Sequence, residues 1–137
     1  GVGRMIEAAF CLALNVYFEA RSQGIAEMIA VSEVVMNRVE SPRYPNTVCE
    51  VVKQGKHVNG QPVKNACQFS WYCNSLSDTP TNKRAWALSQ EVARGVLLGR
   101  TEGSVGKAIH YHAEYVYPKW AKTRPILGKI GVHIFYE

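Results

Sequence analysis

The stretch from Met5 to Arg21, MIEAAFCLALNVYFEAR, limits the folds open to this chain more than any other. It contains no Gly or Pro and is long enough for about four helical turns. Only Glu7 and Asn15 interrupt its apolar residues before Glu19. A helix apolar around most of its circumference has to be covered by other elements. Leu12, Val16 and Glu19 follow one another at spacings of four and three, so one covered stripe ends in a carboxylic acid. Partial burial raises such an acid's pKa and makes Glu19 a candidate proton donor near neutral pH. The plainer alternative is an ion pair with Arg21 or Arg38, or a solvated side chain in the last turn.

A chain of 137 residues is expected to form one domain, residues 1–137. Apolar residues make up 47% and charged residues 20%, which excludes a disordered chain and supports a packed core. The net charge of +5 favours an anionic partner, whether wall polymer, lipid headgroup or nucleic acid. No uninterrupted apolar run approaches the roughly 18 residues of a membrane span, and the chain opens without a signal-peptide pattern. Cys11, Cys49, Cys67 and Cys73 allow three complete pairings. Cys67 and Cys73 bracket a short segment and are candidates for a staple, whereas Cys11 and Cys49 can join only if folding brings them together. Four buried thiols are the alternative, and the absence of a CxxC pair argues against a thiolate zinc site.

Taken in order, Ser22 to Gly24 break the first helix and a second is expected over Ile25–Val39, packed against it. Pro42 and Pro45 prevent its continuation. Thr47 and Glu50 form a capping box for a short helix to Val52 or Lys53, and Asn59-Gly60 marks a turn. The aromatic segment CQFSWYC reads as an edge strand and turn. A third long helix is expected from Lys83 to Leu98, stopped by Gly99. Ala108–Ala113 and Gly131–Tyr136 have strand length, with a basic turn through Arg124 and Lys129 between them. With Gln68 to Ser70 as a possible third member, they would make a small antiparallel sheet, giving an α+β domain.

Glycoside cleavage needs an acid that protonates the departing oxygen, and commonly a second carboxylate as nucleophile or water base. Glu19 can fill the first role. Glu27 and Glu33 are available on the second helix, but spacing does not place either opposite Glu19. Attack by the substrate's own hydroxyl would remove the need for a second acid. Metal chemistry is the competing reading: His110 and His112 share a strand face and His133 could join them with Glu19 or Glu114, yet no HExxH helix accompanies them. A Cys–His hydrolase is disfavoured by possible cysteine pairing, and no phosphate loop or dinucleotide fingerprint is present. A binding module for nucleic acid or glycan is the non-enzyme alternative, since basic and aromatic residues serve both.

Through NVYFEARSQG, VVMNRVESPRYPNTVCEVV, CQFSWYCN, AIHYHAEYVYPKW and IGVHIFYE, in that order, the sequence resembles the SleB/CwlJ-like cell-wall hydrolase family. The resemblance runs from about Glu7 to Tyr136. It implies a lysozyme-like helical lobe carrying the acid beside a small antiparallel β-sheet. It also implies a lytic transglycosylase that cuts peptidoglycan between N-acetylmuramic acid and N-acetylglucosamine and leaves 1,6-anhydromuramic ends. The family's acid falls on Glu19. Trp71, Tyr111, Phe69, Trp120 and His133 fall on positions expected to meet the glycan. Asn37, Arg38 and Phe135 fall on positions expected to maintain the site, and Cys67 and Cys73, placed by their spacing, are expected to support it. No metal ligands and no cofactor are implied.

The expected partner is the peptidoglycan glycan strand, with no stable nucleic-acid partner and no transmembrane segment; nothing in the pattern specifies an oligomer. A water-using muramidase, a metal-dependent peptidoglycan peptidase or amidase, and a noncatalytic module are the alternatives. The cysteine pair and the HYH segment resemble non-spore or phage members more than spore-cortex ones. Periplasm, cell wall or extracellular space is the expected location, with a phage lysis protein included.

Overall fold

The computed structural model describes residues 2–20 and 22–137, so Arg21, one expected partner of Glu19, lies outside the described residues. Helix α1 covers Val2–Ala20 and α2 covers Ile25–Glu40. In the turn between them the Gln23 N–H donates to the Ala20 carbonyl at 3.0 Å. Two further helices, α3 (Val48–Val52) and α4 (Lys83–Leu97), also pack on α1. Half of the expected capping box forms at α3: the Glu50 N–H donates to Thr47 Oγ1 at 3.2 Å, while the Glu50 side chain accepts from that hydroxyl at 2.8 Å instead of from the Thr47 N–H. Asn82 caps α4 by accepting from the Ala85 N–H at 3.0 Å. At the other end of α4, Gly99 has a φ of +68°, the left-handed conformation that lets the chain leave the helix.

The apolar character of α1 is not used uniformly. From Cys11 to Tyr17, and again at Ala20, it is buried, whereas Val2, Met5, Ile6 and Phe10 are each more than half exposed. The buried half meets Val31, Val34 and Val35 of α2, Val51 and Val52 of α3, and Val92 and Ala93 of α4 in one core. Full burial of a side chain of this size is worth about 1.5–3 kcal/mol, so this half of α1 carries the helical lobe.

The strands depart from expectation in two places. Strands β1 (Gly55–Val58) and β2 (Gln61–Cys67) form a hairpin around Asn59 and Gly60, both at positive φ. Gln68 extends that hairpin by donating its N–H to the Gln54 carbonyl at 3.0 Å, instead of joining the C-terminal sheet. Ser70–Cys73 is a 3₁₀ turn, closed by the Cys67–Cys73 disulfide. The C-terminal sheet takes its third strand from the segment expected to be a basic turn. It contains β3 (His110–Ala113), β4 (Ile126–Ile130) and β5 (His133–Tyr136) in the antiparallel order β3-β5-β4. Lys129 projects from β4 as an edge charge and pairs with Glu114, a common device on exposed strands.

Tyr111 pairs with Phe135 and Ala113 with His133, so these four share one sheet face; His110, His112, Ile134 and Tyr136 share the other. The fold is thus α+β, a helical lobe with two small antiparallel sheets, consistent with a lysozyme-like architecture.

A second disulfide, Cys11–Cys49, joins the middle of α1 to α3 and spans 38 residues, against 6 for Cys67–Cys73. Loop entropy makes the longer closure the more stabilising, by about 1.6 kcal/mol. Urea unfolding of the Cys11→Ser/Cys49→Ser variant is therefore expected to show the larger loss of stability, and Cys67→Ser/Cys73→Ser the smaller.

Candidate active site

Four elements meet at Glu19. The acid sits in the last turn of α1, where its side chain is partly buried, and Tyr111 at the centre of β3 donates its hydroxyl to Glu19 Oε1. Burial raises the Glu19 pKa above its ordinary 4.5, while the Tyr111 hydrogen bond, His133 and Arg38 act in the opposite direction. The net upward direction favours the protonated acid. In that form one oxygen is carbonyl-like and accepts from Tyr111, which leaves the acidic proton for Oε2. Burial and Glu19 together push the Tyr111 phenol well above its usual range, so it remains a hydroxyl donor. The arrangement is a held proton donor with one fixed lone-pair partner, suited to general acid and then general base work.

The strand bearing Tyr111 is held by α2. The Asn37 amide donates to the carbonyls of Gly106 and Ala108, each at 2.9 Å, and Arg38 Nε donates to the Ile109 carbonyl at 2.8 Å. One turn earlier, Glu33 accepts from the Ser104 N–H at 3.1 Å, the Ser104 hydroxyl at 2.6 Å and the Thr101 hydroxyl at 3.1 Å. The expected Glu19–Arg38 alternative thus takes a different form. Arg38 spends its Nε on the backbone, lies under the Tyr44 and Phe69 rings at 4.9 and 5.1 Å, and reaches Glu19 only through space.

Tyr111, His133 and Phe135 gather on the sheet face beside Glu19. The Tyr111 ring meets His133 edge-on at 5.3 Å and Phe135 at 5.7 Å, and Phe135 is fully buried. Trp71 and Phe69 take inward places. Trp71 is 5% exposed, donates its indole N–H to Asn15 Oδ1 at 2.8 Å and stacks on Phe18 at 5.2 Å; Phe69 is 3% exposed. Their faces are used by protein: Trp71 lies against Asn15 and Phe18 of α1, and Phe69 against Arg38 of α2. Trp120 lies across the sheet from Tyr111, edge-on to Tyr136 at 5.1 Å and beside His110 and His112, and stays partly exposed.

The histidines are dispersed. His112 Nε2 bonds to the Tyr136 hydroxyl at 2.7 Å and its Nδ1 to the Ala113 carbonyl at 2.8 Å, while His133 Nδ1 bonds to Glu27 Oε2. Among the described residues no three His, Cys, Asp or Glu side chains are arranged to hold a metal ion.

The buried Glu27–His133 pair is the part of the site that periodicity did not reveal, since 106 residues separate its members. The Asn15–Trp71 bond is a second such feature; the lone Asn in an apolar helix was its signal. A groove of about 630 Å³ between Val2, Met5 and Ile6 of α1 and Leu97 and Leu98 lies at the opposite end of α1 from the acid.

Residues 22–136 match the cell wall hydrolase family, and the chain belongs to it. The match begins just beyond Glu19. A spore cortex-lytic enzyme of Bacillus cereus is 28% identical over 127 residues, covering 90% of this chain and 42% of that protein. The Bacillus subtilis spore cortex-lytic enzyme is 26% identical over 130 residues, covering 92% and 36%. The chain therefore spans about two-fifths of these relatives. Among solved structures, the catalytic domain of the Bacillus anthracis germination-specific lytic transglycosylase SleB aligns with a TM-score of 0.69 at 26% identity, covering 95% of this chain and 93% of that one. The catalytic domain of Bacillus cereus SleB aligns with a TM-score of 0.64, also at 26% identity, over 95% and 89%.

Two outcomes test the electrostatics. Tyr111→Phe removes an interaction that lowers the Glu19 pKa, so the Glu19 carboxyl, followed by NMR titration, is expected to titrate at higher pH. A group with a raised folded pKa contributes stability below its unfolded pKa and loses it as pH rises through the folded value. Glu19→Gln is therefore expected to be at least as stable as wild type at neutral pH, with its relative advantage shrinking as pH falls through the Glu19 titration, measured by thermal unfolding across that range.

Proposed function

We propose that this domain cleaves peptidoglycan glycan strands as a lytic transglycosylase with Glu19 as its acid and base. The observation that carries the reading is a partly buried carboxyl group, raised in pKa, with Tyr111 fixed on one of its oxygens. Glu19 donates its proton to the oxygen joining N-acetylmuramic acid C1 to N-acetylglucosamine, and the C1–O bond breaks as charge develops on the muramic ring. The Glu19 carboxylate then takes the proton of the muramic C6 hydroxyl while O6 bonds to C1. Both products are uncharged at the reacting atoms, the acid is regenerated, and a 1,6-anhydro ring is left.

Internal attack needs no second carboxylate, and the two acids of α2 that could have served as one are engaged elsewhere. Glu27 is bound to His133 and the Val132 N–H, and Glu33 to Thr101 and Ser104. The name of the Bacillus anthracis neighbour, a lytic transglycosylase, supports the same reading. The +5 charge suits a strand bearing carboxylates, and Tyr111, partly exposed beside Glu19, offers a ring for a sugar face. The two disulfides fit a site of action at the wall, outside the reducing cytoplasm.

Digestion of purified peptidoglycan followed by mass spectrometry of the new ends tests the proposal. Anhydromuramic ends made by wild type and lost in folded Glu19→Gln are expected, with a loss of about 100-fold or more. Reducing ends would assign the water-using reaction, and released peptides would overturn glycan cleavage.

A further inference from the structure

The proposed reaction leaves a second buried acid unused. Glu27, in the first turn of α2, is 4% exposed, and its partner His133, at the start of β5, is 8% exposed. Burying an isolated carboxylate costs several kcal/mol, and two hydrogen bonds offset that cost here. His133 Nδ1 bonds to Oε2, the Val132 N–H donates to Oε1 at 3.3 Å, and the β4–β5 turn closes over the carboxylate at Gly131. Gly131 has a φ of +58°, and a Cβ there would collide with the Glu27 carboxylate, so turn and acid are fitted to each other.

The far side of the same imidazole leads to the acid. His133 packs edge-on against the Tyr111 ring at 5.3 Å and 86°, and Phe135 supports that ring from the next position on the same face at 5.7 Å. A phenol ring gripped in this way has little freedom to swing, and its hydroxyl is the donor to Glu19 Oε1. His133 also favours the ionised form of Glu19 through space. One connected path thus runs from the start of α2 to the end of α1: Glu27, His133, Tyr111, Glu19.

We propose that Glu27 is a positioning residue for the cleavage reaction, acting through His133 to hold Tyr111 on Glu19. This rests on Glu19 being the acid. Glu27 touches no reacting atom in this scheme; it fixes which carboxyl oxygen of Glu19 is tied down and which carries the transferable proton.

A double-mutant cycle on peptidoglycan turnover distinguishes positioning from mere support of the fold. Glu27→Gln keeps the shape and removes the charge, and its folded state is verified by circular dichroism and thermal unfolding. A fall in kcat of about ten-fold with KM unchanged is expected. Because Glu27 acts through Tyr111, adding Glu27→Gln to Tyr111→Phe is expected to cost little beyond Tyr111→Phe alone. Glu27→Asp, which keeps the charge, is expected to recover part of the loss, and it takes the place of Glu27→Gln in the cycle if that variant does not fold.

Wild-type kcat in folded Glu27→Gln, or losses that multiply in the double variant, would overturn the inference. Glu19→Gln separates the two levels. Retained cleavage there removes the proposed reaction itself, whereas abolished cleavage there with multiplying losses in the cycle removes only the role of Glu27.

Discussion

The hydrogen bonds that α2 sends to the approach of β3 are the constraint on which the site depends. Asn37 and Arg38 bind three successive stations of backbone, the carbonyls of Gly106, Ala108 and Ile109, immediately before the strand begins. A strand of four residues cannot set its own register with much certainty. Tied at its entry by side chains from a buried helix, it delivers Tyr111 to Glu19 rather than a neighbour that points to the opposite face. Glu33 extends the same attachment to the preceding loop. The polar residues of α2 therefore perform a task that its many valines cannot, since directed hydrogen bonds fix individual carbonyls of the incoming chain.

This division of labour explains what was legible in the sequence. The helices follow from periodicity and end signals, and Thr47 with Glu50 and the turn at Asn59-Gly60 could be read directly because each acts over a few residues. Glu19 was visible as an acid at the end of an apolar stripe, and the family resemblance singled it out from the other carboxylates. β4 was concealed because Arg124 and Lys129 gave its neighbourhood the composition of a turn, while its pairing with β5 is a tertiary fact. Gln68 to Ser70 erred in the other direction: aromatic content resembled a strand, but the disulfide and the 3₁₀ turn claim that segment.

The same limit applies within the site. Tyr111 and His133 were named as residues meeting the glycan, yet their ring contact and the link to Glu27 depend on register and on a helix a hundred residues away. Trp71 shows how one residue type serves two ends. An indole that can stack on a sugar can equally stack on Phe18 and give its N–H to a buried Asn15, and only the fold decides which surface it meets.

The Cys11–Cys49 crosslink has a consequence for how the molecule comes into being. It pins the buried half of α1, the helix that ends in Glu19, to α3. Thiols pair only where electron acceptors are available, so the ribosome's product and the finished domain differ covalently at the helix that carries the acid. Both disulfides require an oxidising environment, so the rigidity of the helix that carries the acid depends on where the chain matures.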